Sequence, residues 1–265
     1  MACGNEWQIP WSGNANQRVF IPLPFPPGDP LPQARPLTMA ASKDTFTVGI
    51  AGLTGKFSGL VASFLLQRPN VILRGYVRDP TKLSLSLSSD ARVHITQGEA
   101  YDVSAARAFA QGCDVVVCGY LGDDRLMTEG QKVLIDACEA KGVPRYIASD
   151  YSLDFTKLKK GQLFPKDPMI EVKEYLDGTR VEGVHVLIGV YMDTFFSPYL
   201  QVWDGKEKKL SFWGEEGEVW ESTSYKTTAE FVAAVALDTE AVGVKKCRFH
   251  GCFPYVPPSD WGQKS

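Results

Sequence analysis

"TFTVGIAGLTGKFSGLVASFLL", from Thr45 to Leu66, decides the class of this chain. It reads as an apolar strand, a glycine-rich turn and an amphipathic helix. After the turn, Phe57, Leu60, Val61, Phe64 and Leu65 fall at i, i+3, i+4, i+7 and i+8, which is one face of a helix. Gly52, Thr54 and Gly55 occupy the turn, with Lys56 and Phe57 opening the helix behind it. Glycine has no Cβ, so backbone amides can approach an anion closely there. In a doubly wound sheet the pyrophosphate of a dinucleotide rests on the N terminus of the first helix, just beyond the first strand. A lone glycine triplet says little. Here a strand precedes it and a helix follows, which is the context a dinucleotide cradle requires.

The pattern then repeats. "VILRGYV" reads as a second strand, "ARVHITQ" as a third, and "VSAARAFAQG" as a short helix ended by Gly112. "CDVVVCGYLG" is continuously apolar, as a central strand buried on both faces would be. A long helix with Val133, Leu134, Ala137 and Cys138 inward runs to Gly142, and "VPRYIASDY" reads as strand five. In "KDPMIEVKEYLDG", Asp167 is placed to cap a helix whose first position suits Pro168. "VHVLIGVYM" is another buried strand, "KLSFWG" and "EVWEST" read as short strands, and "TTAEFVAAVALD" as an amphipathic helix. Strands alternating with helices give an α/β fold, a doubly wound parallel sheet with a small C-terminal lobe. The expected divisions are a disordered leader over 1–43, a dinucleotide-binding domain over 44–194, and a shortened lobe over 195–265 interleaved with the last sheet strands.

The leader is proline-dense ("IPLPFPPGDPLPQARPLT"), which removes backbone donors and blocks helix and central strand alike. It lacks the basic start and continuous apolar stretch of a secretory signal, and Met39 is an alternative start for the folded unit. A net charge of −3 leaves no basic footprint for nucleic acid, and no apolar run has the length of a membrane span. The six cysteines have no framework spacing, as in a reduced cytoplasmic protein. Cys247, His250 and Cys252 have no second pair beside them, so no metal site is expected. His94 and His185 alternate with apolar residues and read as strand histidines.

"GLTGKFS", "LRGYVRDPTK", "QGEAYDVSAARAFAQGCDVVVC", "QKVLIDACEAKGVPRYIASDY" and "GVYMD" together resemble the NmrA-like, isoflavone reductase-like group of atypical short-chain dehydrogenases, from about Thr45 to about Gly251. The resemblance implies a Rossmann domain with the glycine pattern carried by Gly52 and Gly55. Ser58 stands where the family has its third glycine, a position that serves close helix–strand packing rather than phosphate contact. It also implies that Arg78, at the tip of the second strand with Lys82 nearby, reads the ribose 2′-phosphate. A guanidinium suits that group bidentately, whereas NAD-preferring sites place a carboxylate there. NADP(H) is therefore favoured over NAD(H). A solvated surface arginine beside Asp79 is the alternative.

Classical short-chain dehydrogenases use Tyr-x-x-x-Lys, and none of the ten tyrosines here has lysine four residues on. The catalytic members of the branch place a lysine near the start of the helix after strand five. Lys166 is the nearest match, although the family spacing to "EYL" would put it at Met169. An ammonium at a helix N terminus is disfavoured by the dipole, which suits acid–base work; an exposed loop lysine is the other reading. By the same resemblance Gly119, Tyr120 and Ser149 lie beside the cofactor. Tyr151, Tyr191 and Met192 shape the substrate side. Ser149 could equally satisfy its own turn. Family members continue past "CRFHG" with further helical structure, so either a more open pocket or a sequence cut short is expected here. Two functions follow: an NADPH-dependent reductase of small aromatic or polycyclic metabolites, or a non-catalytic dinucleotide sensor acting on a protein partner.

Overall fold

The computed structural model describes residues 7–9, 45–195, 197, 202–207, 209–212 and 221–247. Its strands are β1 (Trp7–Ile9), β2 (Phe46–Ala51), β3 (Val71–Val77), β4 (Val93–Gln97), β5 (Val115–Cys118), β6 (Arg145–Ile147), β7 (Glu182–Leu187), β8 (Val190–Tyr191), β9 (Trp203–Asp204), β10 (Lys209–Phe212), β11 (Ser222–Thr223) and β12 (Gly243–Lys246). Its helices are α1 (Lys56–Leu65), α2 (Leu85–Ser88), α3 (Val103–Ala110), α4 (Gln131–Lys141), α5 (Asp167–Asp177), α6 (Met192–Phe195) and α7 (Tyr225–Leu237).

Seven strands form one parallel sheet in the order β12-β7-β6-β5-β2-β3-β4. The chain winds from β2 out to β4 and then returns to build β5, β6 and β7 on the other side of β2. The order therefore reverses between β2 and β5, where a doubly wound sheet opens its binding crevice. Side chains alternate across the sheet: Val115 and Val117 join the core with Val48, Ile50 and Leu65, while Val116 joins Phe109, Leu134 and Tyr146 on the opposite face. Helices α1 and α7 pack together in the first layer, and α3 and α4 in the second. This is the Rossmann fold expected from the sequence.

Buried Arg145 on β6 joins sheet to helix. Its guanidinium donates to the carbonyls of Val235 (3.3 Å), Ala236 (2.8 Å) and Asp238 (2.7 Å), satisfying acceptors that the C terminus of α7 leaves open.

Four local expectations change. Asp167 does not cap α5: a 3-10 turn (Phe164–Lys166) leads in, so Asp167 already has helical backbone angles and its carboxylate accepts from the Gly161 N–H (2.8 Å). The strand in "VHVLIGVYM" breaks after Leu187, because Gly189 takes φ +73 and a Cβ there would lie 2.0 Å from the Glu221 carbonyl oxygen. The chain leaves the main sheet and β8 pairs with β11 instead. Helix α4 is preceded by one π-helical turn (Leu126–Gly130) that periodicity does not reveal. Within the leader, Trp7–Ile9 pairs antiparallel with β10; the rest of 1–43 lies outside the described residues, as do His250 and Cys252. After residue 195, α7 packs against α1 and β12 pairs in parallel with β7 at the edge of the large sheet. Among the described residues no group of His, Cys, Asp or Glu could hold a metal ion, and no helix is long and apolar enough to cross a membrane.

Candidate functional site

A cleft of about 640 Å³ opens at the carboxyl ends of β2, β3, β4 and β5, at the switch point. Its floor is the glycine turn. The Gly52 N–H donates to Tyr76 O (2.9 Å) and the Gly55 N–H back to Gly52 O (2.9 Å), folding the turn tightly. Gly52 has φ +74, a conformation side-chain-bearing residues rarely adopt, and a Cβ there would meet Gly119 O at 3.1 Å. This glycine is thus demanded by the turn and by β5, not only by ligand space. Gly55 is the N-cap of α1 and no side chain caps that helix, whereas Asp102 caps α3 and Ser224 caps α7. The first-turn amides of α1 are left for an anion at the cleft.

Ser58, buried, sits where the family glycine would be, and its partner is Gly119. A Cβ on Gly119 would lie 1.9 Å from Ser58 Oγ. The close approach of α1 to the sheet is kept because the missing side chain has moved from helix to strand.

Arg78 is exposed on the cleft wall at the tip of β3. Neighbouring Asp79 is already engaged: its carboxylate accepts from the Thr81 N–H (3.0 Å) and hydroxyl (2.6 Å), with Lys82 at 3.9 Å. Those bonds hold the Asp79 carboxyl below its usual value. Among the described residues no carboxylate pairs with the Arg78 guanidinium. Lys82 stands off the cleft wall, beside Asp79. Gly119 and Tyr120 form the wall from β5, facing Glu99 and Tyr101 of the β4–α3 loop. The Arg125 guanidinium lies 4.6 Å from the Tyr101 ring centroid and ties that loop to the one leading into α4.

The remaining predicted residues gather elsewhere. Ser149 is buried; its hydroxyl donates to Tyr120 O (2.6 Å) and its N–H to Gln131 Oε1 (3.0 Å). Tyr151 has φ +27, its phenol donates to Cys118 O (2.9 Å), and its ring packs on Phe57 at 4.6 Å. Tyr191 meets Phe57 edge-on at 6.2 Å and stacks on Tyr225 at 4.1 Å, with the Lys56 ammonium 5.1 Å above the Tyr225 ring. Met192 opens α6, half-buried. Lys56, Phe57, Tyr151 and Tyr191 thus surround an aromatic cluster beyond the open cleft.

Lys166 is half-buried in the turn before α5. Burial pushes its ammonium below the ordinary lysine value, against the opposing charge of Asp150. Asp150 is enclosed: Oδ2 lies 2.6 Å from His185 Nδ1, and Oδ1 has no partner. Burial raises the Asp150 carboxyl, although the His185 bond and the charges of Lys166 and Lys173 work the other way. Sequence reasoning read His185 as a strand histidine and did not join it to Asp150. A polar residue after an apolar strand and a histidine within one were the available signals, and only adjacency of β6 and β7 joins them.

The family model for NAD(P)H-binding matches residues 52–182, from the first glycine of the turn to the start of β7. The chain carries an NAD(P)H-binding domain. No curated protein matches the sequence. Solved structures do. NADPH-dependent quinone oxidoreductase QOR2 of Escherichia coli, complexed with NADPH, is 19% identical with a TM-score of 0.60, covering 77% of this chain and 69% of that one. AtPrR2, solved with NADP+ and (+)pinoresinol, is 17% identical with a TM-score of 0.61, covering 78% of this chain and 70% of its own. An isoflavone reductase is 13% identical with a TM-score of 0.59, covering 77% and 70%. Identities this low establish a shared fold.

Proposed function

We propose that the chain binds NADP(H) in the cleft and acts as an NADPH-dependent reductase of small aromatic or polycyclic metabolites. The observation that carries the cofactor reading is Arg78, a guanidinium on the cleft wall at the tip of β3 whose neighbouring carboxylate is already engaged. Its fork matches a 2′-phosphate through two parallel N–H bonds. The turn from Gly52 to Gly55 and the uncapped start of α1 fit the pyrophosphate. When bound, the nicotinamide supplies hydride. Lys166 is the proton donor: burial favours release of its proton, and the Asp150 charge restrains that release. The wider resemblance to isoflavone and pinoresinol reductases supports the substrate class.

A second reading has its own support. Neither Lys166 nor Tyr151 lines the cleft, and the Phe57–Tyr151–Tyr191–Tyr225 cluster packs beyond it. That arrangement suits a non-catalytic sensor that binds dinucleotide and reports to a protein partner. Lys166→Ala separates the two. Lost turnover with NADPH affinity kept supports the reductase; wild-type protein with no turnover across quinones, lignans and isoflavones supports the sensor.

A further inference from the structure

The connection from β6 to α5 carries an exposed patch that the cleft does not use. From Phe155 to Lys166 it reads "FTKLKKGQLFPK", with no acidic residue, in a chain whose net charge is −3. Its apolar residues divide. Phe155 and Leu158 turn inward onto Met169 and Leu187, whereas Leu163 and Phe164 stand 38% and 77% exposed. Lys157, Lys159 and Lys160 are exposed in the same loop. Lys160 pairs with Glu171 at 2.8 Å; among the described residues Lys157 and Lys159 have no carboxylate partner. The loop is held in place. The Lys159 N–H donates to Gln162 Oε1 (2.7 Å), the Gln162 N–H to Lys159 O (3.0 Å), and the Gly161 N–H to the Asp167 carboxylate (2.8 Å). The Asp154 carboxylate holds the Lys246 ammonium (2.7 Å), and the Ile188 N–H donates to Ser152 O (2.9 Å). Those ties place the loop beyond the carboxyl ends of β7 and β12, on the edge at which the cleft opens.

From this we infer that the loop docks the protein on an anionic phospholipid bilayer, with Leu163 and Phe164 entering the headgroup–acyl boundary and Lys157 and Lys159 meeting the lipid phosphates. Such contact needs no membrane span: apolar side chains and basic ones beside them act together at the interface. The size of the patch favours lipid over a protein partner. A stable protein interface uses about 20–30 residues a side, and here two apolar side chains and a few lysines stand out from one loop. Docking on a bilayer scales with buried apolar area plus attraction to anionic lipid, so a small patch gives weak, reversible binding. The rest of the chain is net acidic and repelled from such a surface, so the loop sets the orientation. Docked this way, the protein turns the mouth of its cleft towards the membrane.

Co-sedimentation of the full chain with vesicles of phosphatidylcholine, alone and mixed with phosphatidylserine, tests it. Wild type should bind the mixed vesicles and be released as salt rises, because screening removes the lysine contribution. Lys157→Gln combined with Lys159→Gln should weaken that binding roughly twentyfold, about fivefold for each lysine at the surface. Phe164→Ser should weaken it about tenfold or more by removing the inserted ring. All three side chains are exposed, so both variants should melt with the wild type, and the melting temperature is the control for folding. Failure of wild type to bind the mixed vesicles overturns the inference and leaves the patch to an acidic protein partner. Binding that survives either variant, or is equally strong on phosphatidylcholine alone, overturns it too. None of these outcomes depends on the cofactor reading.

Discussion

Gly119→Ala should damage this protein more than its single methyl suggests, and Ser58→Gly should repair the damage. The added Cβ would lie 1.9 Å from Ser58 Oγ, 3.3 Å from Ser58 Cβ and 3.2 Å from Ala51 O. Ordinary contacts between such atoms are about 3.5 Å or more, so helix and strand must part or Ser58 must swing. Ser58 is 2% exposed and has little room to swing. Overpacking of this kind costs about 2–3 kcal/mol. Ser58→Gly alone loses roughly 0.5 kcal/mol of helix propensity but also removes a buried hydroxyl with no partner, so its net effect stays within about 1 kcal/mol. In the double variant the 1.9 Å contact is gone and only the approach to Ala51 O is tight. Urea unfolding of the four proteins should then give a coupling of about 1.5–2 kcal/mol between the two sites. NADPH affinity should follow, because Gly119 O lies against the Gly52 turn, 3.1 Å from where a Cβ on Gly52 would stand. Simple additivity, or a Gly119→Ala cost under about 0.5 kcal/mol, would refute the helix-to-strand exchange as the reason Ser58 is tolerated.

Gly52→Val should lose dinucleotide binding and about 1–3 kcal/mol of stability, since φ +74 and the approach to Gly119 O both oppose a branched side chain; calorimetry and urea melts report the two losses. Arg145→Met should cost about 2–3 kcal/mol by stripping partners from the last carbonyls of α7, read as a lower urea midpoint. Lys166 has its folded-state pKa lowered from 10.5, so its share of stability is fully present above that value and is lost as pH falls through the lowered one. Lys166→Met should therefore be more stable than wild type at neutral pH, with the gap closing as pH rises towards 10.5, followed by urea melts across that range.

The sheet was legible because its signals are local. The strand "VILRGYV" matches Val71–Val77, and the i, i+3, i+4 stripe from Phe57 marks α1. The pocket-forming turn was legible for the same reason: glycine conformation and helix start lie within a few residues of each other. What the sequence concealed depends on distant segments meeting. Ser58 looked like a weakened motif until β5 placed Gly119 against it. Asp150 and His185 form a buried couple only because β6 and β7 are neighbours. The break at Gly189 is imposed by Glu221, which no pattern near "VHVLIGVYM" announces. Asp167 looked like a cap because the sequence rule for caps does not see the 3-10 turn that precedes α5.

Parallel calorimetric titrations of wild type and Arg78→Ala with NADPH and NADH test the central claim most directly. Wild type should bind NADPH at least roughly tenfold more tightly than NADH, and Arg78→Ala should abolish that preference while leaving NADH affinity nearly unchanged, as removal of a charged phosphate contact requires. Equal affinity of wild type for both cofactors, or a preference that survives Arg78→Ala, would contradict it.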